Sequence, residues 1–115
     1  MTERVTTEQA VAWARAHGAV PHVVDGGTLR TAQDALTAIG EALDFPPYYG
    51  GTLDALYDCL SDLSWLAPGR HVLIWSHHQA LAGHDWAGYQ QVRATLRDGA
   101  VTSGARRLTV VLTTA

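Results

Sequence analysis

The chain has 115 residues, which the usual length per domain makes one domain, and its 47% hydrophobic content allows one modest core. A charged fraction of 17% without a biased tract excludes a disordered chain. The apolar runs are too short to span a membrane. One cysteine, Cys59, excludes an internal disulfide and a cysteine-cluster zinc site. The opening from Met1 to Gln9 is polar and shows no secretory signal, so the expectation is a soluble cytoplasmic protein.

Charge is unevenly placed. The net charge is -3, and no Lys occurs. The basic residues are Arg4, Arg15, Arg30, Arg70, Arg93, Arg97, Arg106 and Arg107. None falls between Arg30 and Arg70, where Asp34, Glu41, Asp44, Asp54, Asp58 and Asp62 lie. Such a block repels nucleic acid and attracts basic partners, or is simply a solvated surface.

In chain order, Thr6 to Gln9 reads as a capping box opening a helix that runs past Val11, Trp13 and Ala14 and stops near Gly18. Residues 19–24 read as a short strand, followed by the turn Asp25-Gly26-Gly27. Thr31 to Asp34 opens a second helix carrying Ala35, Leu36, Ile39 and Leu43, and Pro46-Pro47 ends it. Tyr48-Tyr49-Gly50-Gly51 is a loop, and Thr52 caps a third helix from Leu53 to about Leu63. Residues 70–75 form a strand. Residues 77–83 fit a short helix or a loop. A helix follows from His84 to about Arg97, then a loop from Gly99 to Gly104, then a strand over 107–113. Strands separated by helices favour an α/β fold: a small three-stranded parallel sheet with packed helices.

The third helix carries the most informative pattern. Leu53, Leu56, Tyr57, Leu60 and Leu63 form its apolar stripe, while Asp54, Asp58 and Asp62 recur every fourth residue as one ridge. Like charges at that spacing repel, and Asp is a poor residue within a helix. Only Asp54 is near enough to the N-terminus to gain from the helix dipole. The ridge is a wet face or a surface kept for an outside partner. The adjacent tyrosines favour the second reading, with one ring on the core and the other exposed, since Tyr is enriched in binding hot spots.

The stretch Phe45-Pro46-Pro47-Tyr48-Tyr49-Gly50-Gly51-Thr52-Leu53-Asp54-Ala55-Leu56-Tyr57-Asp58-Cys59-Leu60 resembles the signature of barstar-type ribonuclease inhibitors. In that family the pattern is Pro-x-Tyr-Tyr-Gly-x-Asn-Leu-Asp-Ala-Leu-x-Asp-Cys-Leu. The resemblance covers the chain from about His22 to Leu112. It implies a parallel sheet with packed helices, no catalytic residues and no cofactor. It also implies a loop and acidic helix that plug the basic active site of a secreted, guanyl-preferring microbial ribonuclease. Residues 1–18 are then an N-terminal helical extension and 19–115 the inhibitor domain.

The same resemblance places partner-binding residues at Tyr48, Tyr49, Gly50, Thr52, Asp54, Tyr57 and Asp58. Asp58 matches the central carboxylate that takes the place of an RNA phosphate. Thr52 stands where Asn is common, Gly51 where Glu is often found, and Tyr57 where the family has Trp. The family's further acid, near the end of a later helix, has Asp98 as its nearest candidate.

Other chemistries fit less well. His77-His78 and His84 do not have the spacing of a metal site. The ridge carboxylates lack the phosphate-cradling loop or partnered nucleophile of a hydrolase. Cys59 has no base or cation beside it. The reading is an inhibitor that binds a ribonuclease and not nucleic acid or a membrane. The alternative is an immunity or regulatory protein on the same fold with a different basic target.

Overall fold

The computed structural model describes residues 5–100 and 105–114. Its elements are α1 (Thr7–Ala16), β1 (Ala19–Asp25), α2 (Ala32–Ala42), α3 (Leu53–Asp62), β2 (Gly69–Ser76), α4 (Gln79–His84), α5 (Trp86–Gly99) and β3 (Arg106–Leu112). The strands form one parallel sheet in the order β1-β2-β3, with Val23 beside Ile74 and Ile74 beside Val111. The α/β architecture expected from the strand–helix alternation is therefore present.

Strand order explains the layering. Both crossovers step the same way across the sheet, and parallel crossovers share one hand, so their helices fall on one face. Leu36, Leu56, Leu60, Leu81 and Leu96 from those helices join Leu73, Trp75 and Leu108 in one core. The other face would lie bare without α1. There Ala10 and Ala14 meet Ala19, Val72 and Ile74 in a second, smaller cluster. Strand alternation divides β2 accordingly: Val72 and Ile74 face α1, and Leu73 and Trp75 face the main core. With both faces covered, β2 is buried from His71 to Ser76.

Most helix ends are where local chemistry places them. Thr6 and Gln9 form the capping box of α1, and Gly18 follows it at φ +70°. Helix α2 stops before the prolines. Asp44 adopts a left-handed conformation (φ 54°), and the Phe45 amide donates back to the Gly40 carbonyl at 2.9 Å. That is a Schellman-type end, with Pro46-Pro47 preventing any restart.

Within the segment 77–83, residues 79–83 belong to the short helix α4, and His77 and His78 form the turn before it. Helix α5 starts at Trp86 rather than His84, because Asp85 caps it: one carboxylate oxygen accepts from the Gly88 amide at 3.0 Å. The other oxygen accepts from the Ala32 amide, at the start of α2, at 3.3 Å. Of the loop expected over 99–104, Gly99 is the last residue of α5, Ala100 is its C-cap, and residues 101–104 lie outside the described residues.

Ala14 is fully buried between α1 and the sheet. Ala14→Leu should overpack that seam and lower unfolding free energy by about 1–3 kcal/mol in urea denaturation. Unchanged stability would mean that α1 does not seat on the strands in solution.

Candidate partner-binding site

Helix α3 displays its carboxylates because its other face is committed. Leu56 and Leu60 are completely buried, and Cys59 nearly so. Leu60 lies directly under α5, where a Cβ on Gly99 would come within 2.9 Å of Leu60 Cδ1. With that stripe locked, Asp54, Asp58 and Asp62 are exposed. Thr52 holds the start of the helix, its hydroxyl accepting from the Ala55 amide at 3.0 Å. Gly51, before it, has φ +70°, where a side chain is strained, so the glycine at this place has a backbone reason.

The carboxylates differ in how free they are. Asp62 accepts from the Ser64 hydroxyl at 3.2 Å and so serves the turn that ends α3. Among the described residues Asp54 and Asp58 have neither a hydrogen bond nor an ion pair. Burial first, then the carboxylates of Asp58 and Asp62, push the Cys59 thiol pKa up. A buried, protonated thiol is no nucleophile.

The two tyrosines separate. Tyr48 is 73% exposed. Tyr49 is half-buried, and its hydroxyl donates to the Leu36 carbonyl at 2.9 Å. Its ring rests on α2 where Gly40 leaves room, and meets Phe45 edge-on with centroids 4.7 Å apart. Phe45 in turn meets Trp65 edge-on at 5.6 Å, and Trp65 Nε1 donates to the Leu43 carbonyl at 2.8 Å. Tyr49 is thus the anchor of the loop and Tyr48 its free ring. Tyr57, 46% exposed, stands beside Asp58 on α3. Gly50 and Thr52 are exposed.

Tyr48, Gly50, Thr52, Asp54, Tyr57 and Asp58 therefore lie along one loop–helix segment as exposed positions, with Tyr49 beneath them. Asp98 sits apart, in the last turn of α5, paired with Arg97 at 3.5 Å on open surface. Gly40 and Trp65 support the site without belonging to any motif in the sequence, and Phe45 supports it from the head of the matched stretch. A glycine inside a helix costs about 1 kcal/mol against alanine, and that cost is the one available sign that something packs on Gly40.

The other candidate chemistries do not assemble. His77 is exposed, whereas His78 bonds the Tyr89 hydroxyl and His84 the Ala80 carbonyl. Burial first, then Arg93, lower the His78 pKa. No group of three or more His, Cys, Asp or Glu among the described residues is placed to hold a metal ion. No helix among them is long and apolar enough to cross a membrane.

The Tyr49 anchor has two measurable consequences. Gly40→Ala would gain about 1 kcal/mol from helix propensity alone. Its Cβ, however, would lie 2.7 Å from Tyr49 Cε2. Overpacking costs about 1–3 kcal/mol, so calorimetry should find net destabilisation, and a stabilised variant would mean that the ring is not seated there. Burial first, then Cys59, push the Tyr49 pKa up to about 12 from 10.0. In that window the unfolded chain releases a proton that the folded chain keeps, so the stability from Tyr49 is whole below pH 10.0 and lost as pH rises towards about 12. Urea midpoints across that range should fall in the wild type and fall less in Tyr49→Phe.

No curated protein sequence matches the chain. The family model described as Barstar (barnase inhibitor) matches residues 19–114, which takes in the whole sheet, the Tyr-Tyr-Gly loop and the acidic helix. Over most of its length, then, the chain belongs to the barstar family.

Proposed function

We propose that this protein inhibits a guanyl-preferring microbial ribonuclease by placing the segment from Tyr48 to Asp58 in its active site. Barstar proteins are a family of ribonuclease inhibitors and not of enzymes, so the coarser part of this reading comes with membership. The finer part rests on one observation: Asp54 and Asp58 stand exposed on a fully seated helix with no partner among the described residues.

A ribonuclease must hold polyanionic RNA, so its cleft is basic. A cleft of that kind offers what the α3 ridge lacks at home. Asp58 takes the place of a phosphate among the enzyme's cations and accepts charge-assisted hydrogen bonds from them. Asp54, one turn earlier, extends the contact. Tyr48 supplies a large amphipathic ring at small entropic cost, and Tyr57 does the same beside Asp58. The acidic block also speeds encounter with a basic target, because complementary fields steer diffusion. The enzyme is secreted and its inhibitor stays in the cytoplasm, protecting cellular RNA before export.

The test compares two members of the ridge. Asp58→Ala should fold with unchanged or slightly raised stability, since Asp54 and Asp62 repel that carboxylate. In the complex the same change strands buried cations, which costs about 3–5 kcal/mol, or roughly two to three and a half orders of magnitude in inhibition constant. Asp62→Ala should lose far less, because Asp62 is tied to Ser64. Normal inhibition by Asp58→Ala in a guanyl-specific ribonuclease assay would refute the assignment. A wild-type chain that inhibits no such enzyme but captures another basic protein would favour a different target for the same face.

A further inference from the structure

Two histidines join β1 and β2 to the chain on either side of the proposed inhibitory segment. His22 Nδ1 lies 3.1 Å from the Ala42 carbonyl oxygen, at the end of α2. His71 Nε2 lies 2.7 Å from the Ala67 carbonyl oxygen, in the connection that leaves α3. Between them, His22 Nε2 and His71 Nδ1 are 2.9 Å apart.

The proton count of this pair is unusual. A carbonyl oxygen only accepts, so His22 Nδ1 and His71 Nε2 must each carry a hydrogen. A neutral imidazole carries only one. Two neutral rings would therefore face each other across the central contact with bare lone pairs, at a distance that marks a hydrogen bond. One further proton between them satisfies every contact. Four ring nitrogens then carry three hydrogens, and the pair holds one positive charge.

We propose that His22 and His71 are positioning residues that work as one unit, clamping the chain on either side of the Tyr48–Asp58 segment while they share a single extra proton. This inference rests on the reading of that segment as the binding surface. Ala42 precedes the Tyr-Tyr-Gly loop, and Ala67 comes after α3, so the clamp grips the chain on either side of it. Removing the shared proton forces one ring to turn a lone pair on its carbonyl or on its partner. Adding a second sets two N–H groups against each other. The clamp holds in between.

Burial first and then His71 push the His22 pKa down, against the Ala42 carbonyl and Asp44, just beyond α2, which pull it up. Arg106 of β3 brings a cation to the same connection, its Nε donating to Leu66 O at 2.8 Å and its Nη2 to Ser64 O at 3.3 Å. Glu41, beside Ala42, is exposed. His71 also lines a cleft with His17, the C-cap of α1, with Arg70 of β2 and with Arg107 of β3, so two cations and a third imidazole border the pair on that side. Because the folded His22 pKa is lowered, unfolded chains take up a proton that folded ones refuse, and stability falls as pH drops below 6.5.

The decisive experiment is imidazole nitrogen NMR on the free, full chain from about pH 4 to about pH 9. At the pH of greatest protection from amide exchange over residues 43–53, the pair should show three ring N–H groups. Protection should drop about tenfold on either side, the equivalent of one charge-assisted hydrogen bond. His71→Gln keeps an amide N–H for Ala67 but removes the central nitrogen and the charge. It should flatten the pH profile and lower the maximum about tenfold, whereas a purely structural role would leave the profile's shape intact. In the ribonuclease assay, wild-type inhibition should track the protection profile. Two neutral rings at the protection maximum, or a wild-type pH profile in His71→Gln, would overturn the proposal. The expected ring and exchange results without any inhibition would uphold the proton unit and overturn only the reading of its target.

Discussion

The contact on which the site depends is the seating of α3 on α5. Leu60 fits against Gly99 so closely that a Cβ there would force the leucine to shift, and Leu56 is buried one turn earlier. Burying such leucines is worth about 1.5–3 kcal/mol each. The repulsion among Asp54, Asp58 and Asp62 is smaller, about 0.2–0.5 kcal/mol per pair. The apolar contact therefore wins, and it decides which way the acidic face points. The carboxylates are displayed because the leucines leave the helix no other rotation.

The loop ahead of α3 is held in a different manner, by polar groups that answer specific backbone carbonyls. Tyr49 takes the Leu36 carbonyl, His22 that of Ala42 and Trp65 that of Leu43. These are acceptors that the last turns of α2 leave open or share, and side chains from three separate places converge on them. Fixing a loop before it meets a partner lowers the ordering cost of association. The end of α2 is thus both a helix terminus and the mount of the Tyr-Tyr-Gly loop.

Much of this architecture is legible in the residue order, and the parts that are not have a common cause. Thr6, Thr31 and Thr52 cap their helices through amides three residues on, so a local pattern suffices. The α/β alternation and the Tyr48–Asp58 pattern are equally plain. One buried and one exposed tyrosine can be expected from their adjacency, but which is which depends on Gly40, in another helix. The true start of α5 is set by Asp85, whose cap on the Gly88 amide is as local as the threonine caps, while its second bond, to Ala32, lies far along the chain. The His22–His71 contact spans 49 positions and has no local trace at all. Periodicity and capping report on the next turn of chain, and pairings set by sheet register lie beyond their reach.

Asp85 also changes how the molecule comes apart. Its carboxylate accepts from first-turn amides of two helices, Ala32 of α2 and Gly88 of α5, across a separation of 53 positions for the first. Each helix start therefore depends on the other through a shared anion, which both dipoles favour. Fraying of α5 from its N-terminus takes the acceptor away from the Ala32 amide, and fraying of α2 frees one oxygen of Asp85. Such reciprocal dependence couples the opening of α2 to that of α5, although they belong to different crossovers.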